Sequence, residues 1–203
     1  MYTVKELFPT LQGEGAHAGR AAVFCRFAGC NLWSGREEDR EAAICQFCDT
    51  DFVGSDGSGG GKFETAKDLA DAIEASWRST SAGPQQRYVV FTGGEPLLQL
   101  DSTLLDHCKM AGFETAIETN GTLLAPPGVD WICVSPKPRS ILKQRQGQEL
   151  KLIYPQPEFS PEEFESLEFE HFFLQPMDGP LRAENTQAAI DYCLQHPRWR
   201  LSL

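Results

Sequence analysis

The chain has 203 residues, 41% of them hydrophobic and 23% charged, which is the balance of an ordinary globular protein with one sizeable core. Its formal net charge of −11 argues against a nucleic-acid partner, because neutralising phosphates requires a basic face. No apolar run approaches the roughly 20 residues of a membrane span, and "MYTVKELFPT" lacks the pattern of a signal peptide.

Eight stretches have the β-branched and aromatic content of strands, and turn-forming residues separate them. In chain order they are "TVKELF", "AVFCRF", "RYVVFT", "ETAIET", "DWICVS", "ELKLIY", "HFFLQ" and "WRLSL". Residues 52–63, "FVGSDGSGGGKF", are rich in Gly and Ser and predict a loop, which is a candidate for a mobile segment or an insertion point.

Helical periodicity separates the later strands. In "TAKDLADAIEASW", Leu69, Ile73 and Trp77 recur every four residues, and Thr65 is a suitable N-cap. "SPEEFESL" has the signature of a capping box, and "NTQAAIDYCLQH" has one apolar stripe behind a possible Asn185 cap. These two predictions rest on Ser160, Pro161 and Glu163 for the first segment, and on Ala189, Tyr192 and Cys193 for the second.

Strands that alternate with helices through short joins predict a parallel sheet with right-handed crossovers. The chain is too short for eight strand–helix units, which take about 250 residues. We therefore predict an α/β fold: an incomplete, shortened (β/α) TIM-like barrel with a mainly parallel sheet, forming a single domain over residues 1–203. In such sheets, ligands bind at the carboxyl ends of the strands.

Five predicted strands are followed at once by polar segments that contain Gly, Pro or Cys. "AVFCRF" leads into the loop of Cys30, "RYVVFT" into "GGEP", "ETAIE" into "TNGT", "DWICV" into "SPKP" and "HFFL" into "QPMDG". One such segment would be a turn and nothing more. Five at the same edge of one sheet predict a single site.

Three of the seven cysteines, Cys30, Cys45 and Cys48, lie in the first of these segments. Three thiolates can hold three irons of a [4Fe–4S] cube and leave the fourth iron open. Alternatively, Cys25 completes a structural zinc site. Cys25 alternates with apolar residues on one face of its strand, which favours a core position, but the spacing alone leaves both readings open. Cys108, Cys133 and Cys193 are predicted to be buried structural residues.

Two neighbouring features have simple local interpretations. The glycines of "GGEP" expose backbone groups for the close approach of a ligand, and Glu95 offers a carboxylate to an ammonium group. Fourteen residues, "NLWSGREEDREAAI", separate Cys30 from Cys45. Their "REEDRE" run is most simply a solvated face.

An odd number of cysteines in a chain of this size predicts a reducing, cytoplasmic location rather than a disulfide framework.

Taken in order, "GEG", "RFAGCNL", "CQFCDT", "TGGEPLLQ", "IETNGT", "VSPK", "ELKLIY", "LQPMDG" and "RLSL" resemble the 7-carboxy-7-deazaguanine synthases over nearly the whole chain. These are radical S-adenosylmethionine (radical SAM) enzymes of the 7-deazapurine pathway that leads to queuosine. The common radical SAM motif has three residues in its first gap, and this chain resembles a subset with a longer one. The insert within residues 30–50 is therefore expected to form a loop outside the cluster.

The resemblance implies a carbon–nitrogen lyase that contracts the ring of 6-carboxy-5,6,7,8-tetrahydropterin and releases ammonia, giving 7-carboxy-7-deazaguanine. It implies a [4Fe–4S] cluster, S-adenosylmethionine and Mg²⁺ as cofactors. The open iron would bind the amino and carboxylate groups of S-adenosylmethionine, and one electron would cleave its sulfonium to give the radical that attacks the substrate. Because the cofactors supply this chemistry, no protein nucleophile is expected.

The resemblance also implies roles for particular residues. Cys30, Cys45 and Cys48 would ligate the cluster, and Thr50 would ligate Mg²⁺ as one of six oxygen ligands. S-adenosylmethionine would contact Phe47, Cys48, Asp49, Gly94, Glu95, Glu118, Ser135, Pro136, Lys137, Gln175, Pro176, Met177 and Asp178.

Six residues are candidates for binding the substrate. The segment "LQGEG" supplies amide and carboxylate groups that can pair with the aminopyrimidinone edge of a pterin. Arg26 lies on the strand face opposite Cys25, where its guanidinium can grip a carboxylate in bidentate fashion. The six residues are Leu11, Gln12, Gly13, Glu14, Arg26 and Thr92.

For partners, the resemblance implies the pterin substrate, a one-electron donor of the flavodoxin or ferredoxin type, and a second copy in a homodimer. Members of the family usually continue past "RLSL" with a short tail that helps to close over the substrate, so either this tail is not included in the sequence or substrate binding is incomplete. Two other functions stay open at this point. One is a radical SAM activase of a protein partner, and the other is a zinc-binding module that is not an enzyme.

Overall fold

The computed structural model describes residues 1–80 and 87–203, and its nine strands form one sheet in the order β3-β1-β2-β4-β5-β6-β7-β8-β9. β1 is antiparallel to β2 and β3, and every other neighbouring pair is parallel. Over the described residues the sheet does not close, since β3 and β9 are edges. The strands are β1 Tyr2–Leu11, β2 Ala21–Phe27, β3 Gly61–Phe63, β4 Tyr88–Gly93, β5 Glu114–Thr119, β6 Trp131–Val134, β7 Gln146–Tyr154, β8 Glu168–Pro176 and β9 Trp199–Leu201.

This arrangement confirms the predicted α/β fold with a mainly parallel, unclosed sheet, and all eight predicted strands are present. In the part of the chain that the structure describes, three α-helices accompany the sheet: α1 Ala66–Arg78, α2 Ser102–Met110 and α3 Arg182–Gln195. Among the described residues, the connections from β5 to β6 and from β6 to β7 contain no helix. These two short connections explain how the architecture fits in 203 residues.

Two of the three N-caps predicted from the sequence are present in the structure, and the third is not. Thr65 and Asp68 form a complete capping box at the start of α1, as expected of Thr65. Ser160 also begins a capped segment, but Pro161–Phe164 is only a 3₁₀ turn. The prediction that Asn185 caps α3 was wrong. The helix begins at Arg182, and the Asn185 side chain instead donates to Met177 O at 2.8 Å, which ties α3 to the loop after β8.

The Gly/Ser-rich stretch is packed against β1 rather than free. Its last residues form β3, where the Gly- and Ser-rich composition predicts a loop. The backbone N–H of Leu7 donates to Ser58 O at 2.8 Å, and that of Gly57 donates to Lys5 O at 2.9 Å. An added Cβ at Gly60 would lie 2.2 Å from Lys5 O. The glycines therefore permit two backbones to approach each other closely.

The core lies on the outer face of the sheet, where the helices pack. Cys25 is fully buried there, as predicted, in a cluster with α1, α2 and the neighbouring strands. A second cluster joins α3 to β7, β8 and β9, and Ala189, Tyr192 and Cys193 face it. Since side chains alternate along a strand, the opposite face of each strand points into the concave inner side of the sheet.

Candidate functional site

The concave side of the sheet holds a cavity of about 630 Å³ at the carboxyl ends of the parallel strands. Most of the site residues predicted from the sequence line this cavity, although they come from widely separated parts of the chain. These are Leu11, Gln12, Gly13, Glu14, Arg26, Phe47, Cys48, Asp49, Thr50, Thr92, Gly94, Glu118, Ser135, Lys137, Gln175, Pro176, Met177 and Asp178. Four predicted residues, all in the described part of the chain, do not line it: Cys30, Cys45, Glu95 and Pro136.

The segment between β1 and β2 forms part of the cavity wall. Residues 12–17 cross the inner face of the sheet, where the N–H of Ala16 donates to Glu149 Oε2 at 3.1 Å and that of Gly15 donates to Ser202 Oγ at 3.0 Å. An added Cβ at Gly15 would lie 2.0 Å from Glu149 Oε1. "LQGEG" is thus more than a turn, because it brings polar groups across the open barrel.

The three cysteines of the first loop lie near one another, and Cys48 lines the cavity. The thiols of Cys45 and Cys48 are hydrogen bonded, which lowers the pKa of Cys48 and raises that of Cys45. Burial raises the pKa of the Cys30 thiol, which lies close enough to Cys48 for their charges to interact. Cys25 faces the core on the other side of the sheet. Its position does not support the four-cysteine zinc site.

This donor set suits an iron–sulfur cube. Among the described residues, no group of three or more His, Cys, Asp or Glu side chains is arranged to hold a single metal ion. A cube attaches each thiolate to a different iron, so its ligands lie farther apart than those of one ion. A further sign of a ligand is Gln175 Oε1, a buried acceptor that lines the cavity and has no hydrogen-bond partner in the described chain.

One wall of the cavity is formed by the segments that follow β4, β6 and β8. Gly94 packs against the cysteine loop, and an added Cβ there would lie 2.1 Å from Gly29 O. Lys137 donates to Ser135 Oγ at 2.6 Å and lies 5.9 Å from the centre of the Phe47 ring. Burial lowers the pKa of Lys137. This wall combines exposed backbone, an aromatic face and a cation.

Glu95 lies behind this wall and is fully buried. Its carboxylate accepts from Thr119 Oγ1 at 2.7 Å, from the N–H of Asn120 at 2.8 Å and from the N–H of Leu97 at 3.0 Å. Burial raises its pKa, and these hydrogen bonds oppose the rise. The carboxylate therefore joins "GGEP" to "TNGT" within the protein.

The opposite wall carries the predicted substrate residues. Arg26 and Thr92 are register partners on β2 and β4. Glu118 accepts from Gln12 Nε2 at 3.0 Å and from Thr92 Oγ1 at 3.2 Å, while Arg26 Nε donates to Glu6 Oε1 at 2.6 Å. Glu118, which the resemblance assigned to the cofactor, is thus bonded to two residues assigned to the substrate.

Several residues that line the cavity are not among those predicted from the sequence, and Lys151 is the most informative of them. Lys151 is buried and donates to Glu14, which also accepts from Gln175 Nε2 at 2.7 Å. Burial alone would lower the pKa of Lys151, but the carboxylates of Glu118 and Glu14 raise it above its ordinary value. The sequence does contain one indication of this role, because Lys151 is a charged residue within the otherwise largely apolar strand "ELKLIY". The other missed residues include Phe8, Thr10, Phe24, Thr119, Asn120 and Ile153.

Comparison with known proteins decides the family. A protein from Bordetella pertussis named 7-carboxy-7-deazaguanine synthase is 67% identical over 202 residues, which cover 100% of this chain and 95% of that protein. The chain belongs to the 7-carboxy-7-deazaguanine synthase family. A synthase of Bacteroides thetaiotaomicron is 37% identical over 203 residues, with 100% of this chain and 94% of that protein covered. No protein-family model matches the chain.

A solved structure agrees with the synthase family. The crystal structure of QueE from Escherichia coli superposes with a TM-score of 0.72 at 27% identity and covers 99% of this chain and 92% of that one. Membership of the synthase family implies an enzyme with a small-molecule substrate, a [4Fe–4S] cluster and S-adenosylmethionine. Across the described residues, no helix has the length and apolar character needed to span a bilayer.

Proposed function

We propose that this enzyme converts 6-carboxy-5,6,7,8-tetrahydropterin to 7-carboxy-7-deazaguanine with loss of ammonia. The observation that carries the proposal is one cavity with two chemically different walls beside Cys48, whose thiol lies close to those of Cys45 and Cys30. When bound, the cluster and S-adenosylmethionine supply one-electron cleavage, which starts the radical chemistry. The protein's own residues then have to bind the reactants, orient them and exclude water.

We assign the cluster to Cys30, Cys45 and Cys48. The wall next to these thiols suits S-adenosylmethionine, because the backbone at Gly94 is open to close approach and the Phe47 ring offers a face for stacking. The unpaired Gln175 Oε1 is an acceptor for an N–H or O–H group of this ligand. The remaining assignments to this wall are Cys48, Asp49, Ser135, Lys137, Pro176, Met177 and Asp178, and the buried Pro136 is assigned to support the segment between Ser135 and Lys137.

Glu95 is assigned a different task from the one that the resemblance implied. Its three hydrogen bonds occupy the carboxylate inside the protein, so it fixes the shape of the wall rather than meeting the cofactor. Glu118 is assigned to the substrate side. Its carboxylate accepts hydrogen bonds from Gln12 and Thr92, and it can also accept a hydrogen bond from an N–H group of the pterin ring.

For the substrate, Arg26 is the cation that suits the carboxylate group, and its Glu6 partner keeps the guanidinium oriented. Leu11, Gln12, Gly13, Glu14 and Thr92 complete this side. Lys151 donates a hydrogen bond to Glu14 and so fixes the position of its carboxylate. These contacts would fix the ring so that one carbon–hydrogen bond faces the cofactor wall.

Further parts of the proposal rest on the family alone. Thr50 is the candidate Mg²⁺ ligand, and its hydroxyl lines the cavity beside the exposed Asp49. We also propose a single catalytic domain over residues 1–203, a homodimer, a cytoplasmic location, and a one-electron donor of the flavodoxin or ferredoxin type. The number of free cysteines is consistent with a reducing compartment.

The test is an anaerobic incubation of the iron-reconstituted protein with dithionite, S-adenosylmethionine, Mg²⁺ and 6-carboxytetrahydropterin, followed by mass analysis of the products. We expect 7-carboxy-7-deazaguanine, and Cys30→Ala should produce none. Formation of 5′-deoxyadenosine without the deazapurine would contradict the proposal and favour an activase. A colourless protein that retains zinc and no iron would contradict any radical function.

A further inference from the structure

The fourteen-residue insert between Cys30 and Cys45 is anchored to the cysteine loop at a few positions, while most of its charged side chains are exposed. Its residues Glu37–Ala42 form a 3₁₀ helix, and Trp33, which precedes it, is buried and packs edge-on against Phe52 with ring centres 5.6 Å apart. An added Cβ at Gly35 would lie 2.4 Å from Val53 Cγ2. The insert is therefore packed tightly against the segment that follows the cysteine pair.

Arg40 is the residue of this insert that reaches the cysteine pair. Its Nη1 donates to Gln46 O at 2.9 Å and to Cys48 O at 3.0 Å. Its guanidinium carbon lies 4.1 Å from the centre of the Trp33 ring, and its Nε donates to both oxygens of Glu37 at 2.8 Å. Only 27% of the Arg40 side chain is exposed, although 78% of its partner Glu37 is, and the hydrogen bond to Cys48 O is partly buried.

The geometry has two physical consequences. Two hydrogen bonds from one cation to neighbouring carbonyls restrict the backbone of the turn that carries Cys45 and Cys48. The same cation lies at the carbonyl of Cys48 and offsets the charge of the Glu37 carboxylate, so its removal would leave a net negative charge beside the turn. Nearby charge and hydrogen bonds set the reduction potential of an iron–sulfur cluster. A solvated charge run would have neither effect.

We propose that Arg40 is a positioning residue for the cluster, holding the Cys45–Cys48 turn and favouring the reduced state of the bound cluster. This inference rests on the proposed function, because it assumes the cluster. It gives Arg40 a task within a charged run that is otherwise the solvated face predicted from its composition.

The experiment compares Arg40→Gln with Arg36→Gln in the reconstituted full chain. Arg36 is a matched control, because it belongs to the same insert and carries the same charge, but its side chain is 70% exposed and its nearest carboxylate oxygen, on Glu38, is 3.8 Å away. Two properties are measured: the lifetime of the cluster in air, from its visible absorbance, and its midpoint potential, from a titration followed by electron paramagnetic resonance.

We expect the cluster of Arg40→Gln to be lost about tenfold faster than that of the wild type, because a turn without these bonds opens more often. Its midpoint potential should be more negative, since the reduced cluster loses a nearby positive charge. Arg36→Gln should match the wild type in both. Arg40→Lys should restore most of the potential but little of the lifetime, because an ammonium keeps the charge without the planar fork.

Equal lifetimes and potentials for Arg40→Gln and the wild type would overturn the inference. Equal changes in Arg36→Gln and Arg40→Gln would also overturn it, because general charge rather than this contact would then be responsible. A wild-type protein that holds no cluster would overturn the proposed function itself, so the two failures are distinguishable. If Arg40→Gln does not fold, the cluster lifetime of Arg40→Lys is compared with that of the wild type instead.

Discussion

Gly94 lies against Gly29 so closely that a single methyl group does not fit between the "GGEP" segment and the cysteine loop. An added Cβ on Gly94 would be 2.1 Å from Gly29 O and 2.8 Å from the Cβ of Cys30. The N–H of the next residue, Glu95, donates to Gly29 O at 2.9 Å. The wall assigned to the cofactor and the loop assigned to the cluster are thus in direct contact.

The substitution Gly94→Ala should displace the Cys30 loop, because the contact is with backbone that has no room to yield. A displacement of about 1 Å at a reacting centre costs on the order of 100-fold in rate. We expect this loss in kcat/KM together with weaker binding of S-adenosylmethionine. Gly61→Ala is the control, since its added Cβ would meet only Phe63, at 3.9 Å. Normal turnover by Gly94→Ala would mean that the close packing is not needed.

The substitution Arg26→Ala tests the substrate side of the cavity. Loss of a charge-assisted contact should weaken substrate binding by about 1.5–3 kcal/mol, seen as a higher KM, while iron content stays unchanged. Arg20→Ala is a suitable control. Like Arg26, Arg20 forms an ion pair with a glutamate, Glu114, at 2.5 Å, but it does not line the cavity. An unchanged KM for Arg26→Ala would remove this residue from the site.

A pair of cysteine substitutions tests the choice of cluster ligands. Cys25→Ala should keep its iron and lose only about 1 kcal/mol of stability from a small core cavity. Cys30→Ala should lose the cluster. Iron and sulfide analysis of both variants after anaerobic reconstitution gives the answer. The reverse pattern would mean that Cys25, and not Cys30, is a ligand.

The Glu14–Lys151 pair should make stability depend on pH in the acid range. Burial alone would raise the pKa of Glu14, but Lys151 and Gln175 lower it below its ordinary value of 4.5. With the folded-state pKa below the unfolded one, the contribution of Glu14 is complete above about pH 4.5 and is lost as the pH falls through the folded-state pKa.

Wild type should therefore exceed Glu14→Gln in stability by about 1 kcal/mol at neutral pH, a modest value because 35% of the Glu14 side chain is exposed. The difference should shrink below pH 4.5, as measured by thermal unfolding between about pH 3.5 and 7. Asp71→Asn, at an exposed pair with Lys67, is the control. A difference that is constant across this range would show that the charge of Glu14 is not involved.

Much of the fold was predictable because its signals are local. The alternation of apolar and polar residues, together with β-branched and aromatic content, identified eight of the strands. It also placed Arg26 and Cys25 on opposite faces of β2. β3 was missed because its three residues, "GKF", follow a run of glycines and are held by pairing with β1 rather than by their own propensity. The start of α3 was misplaced because Asn185 serves a long-range contact with Met177 instead of a cap.

The site was only partly predictable for the same reason. The polar segments at the strand ends were visible in the sequence, and most of them do line the cavity. The engagement of Glu95 with Asn120, the support of Glu14 by Lys151 and the contact of Arg40 with Cys48 each join residues through the folded chain. Such tertiary pairings leave no periodic pattern, and a single sequence does not reveal them.

The most direct test of the account is a Mössbauer spectrum of the anaerobic, iron-reconstituted protein before and after S-adenosylmethionine is added. We expect a cubane cluster in which one iron of the four changes its signal when S-adenosylmethionine binds, because three cysteines hold only the other three. A spectrum with no cubane, or with four irons that do not respond, would contradict it.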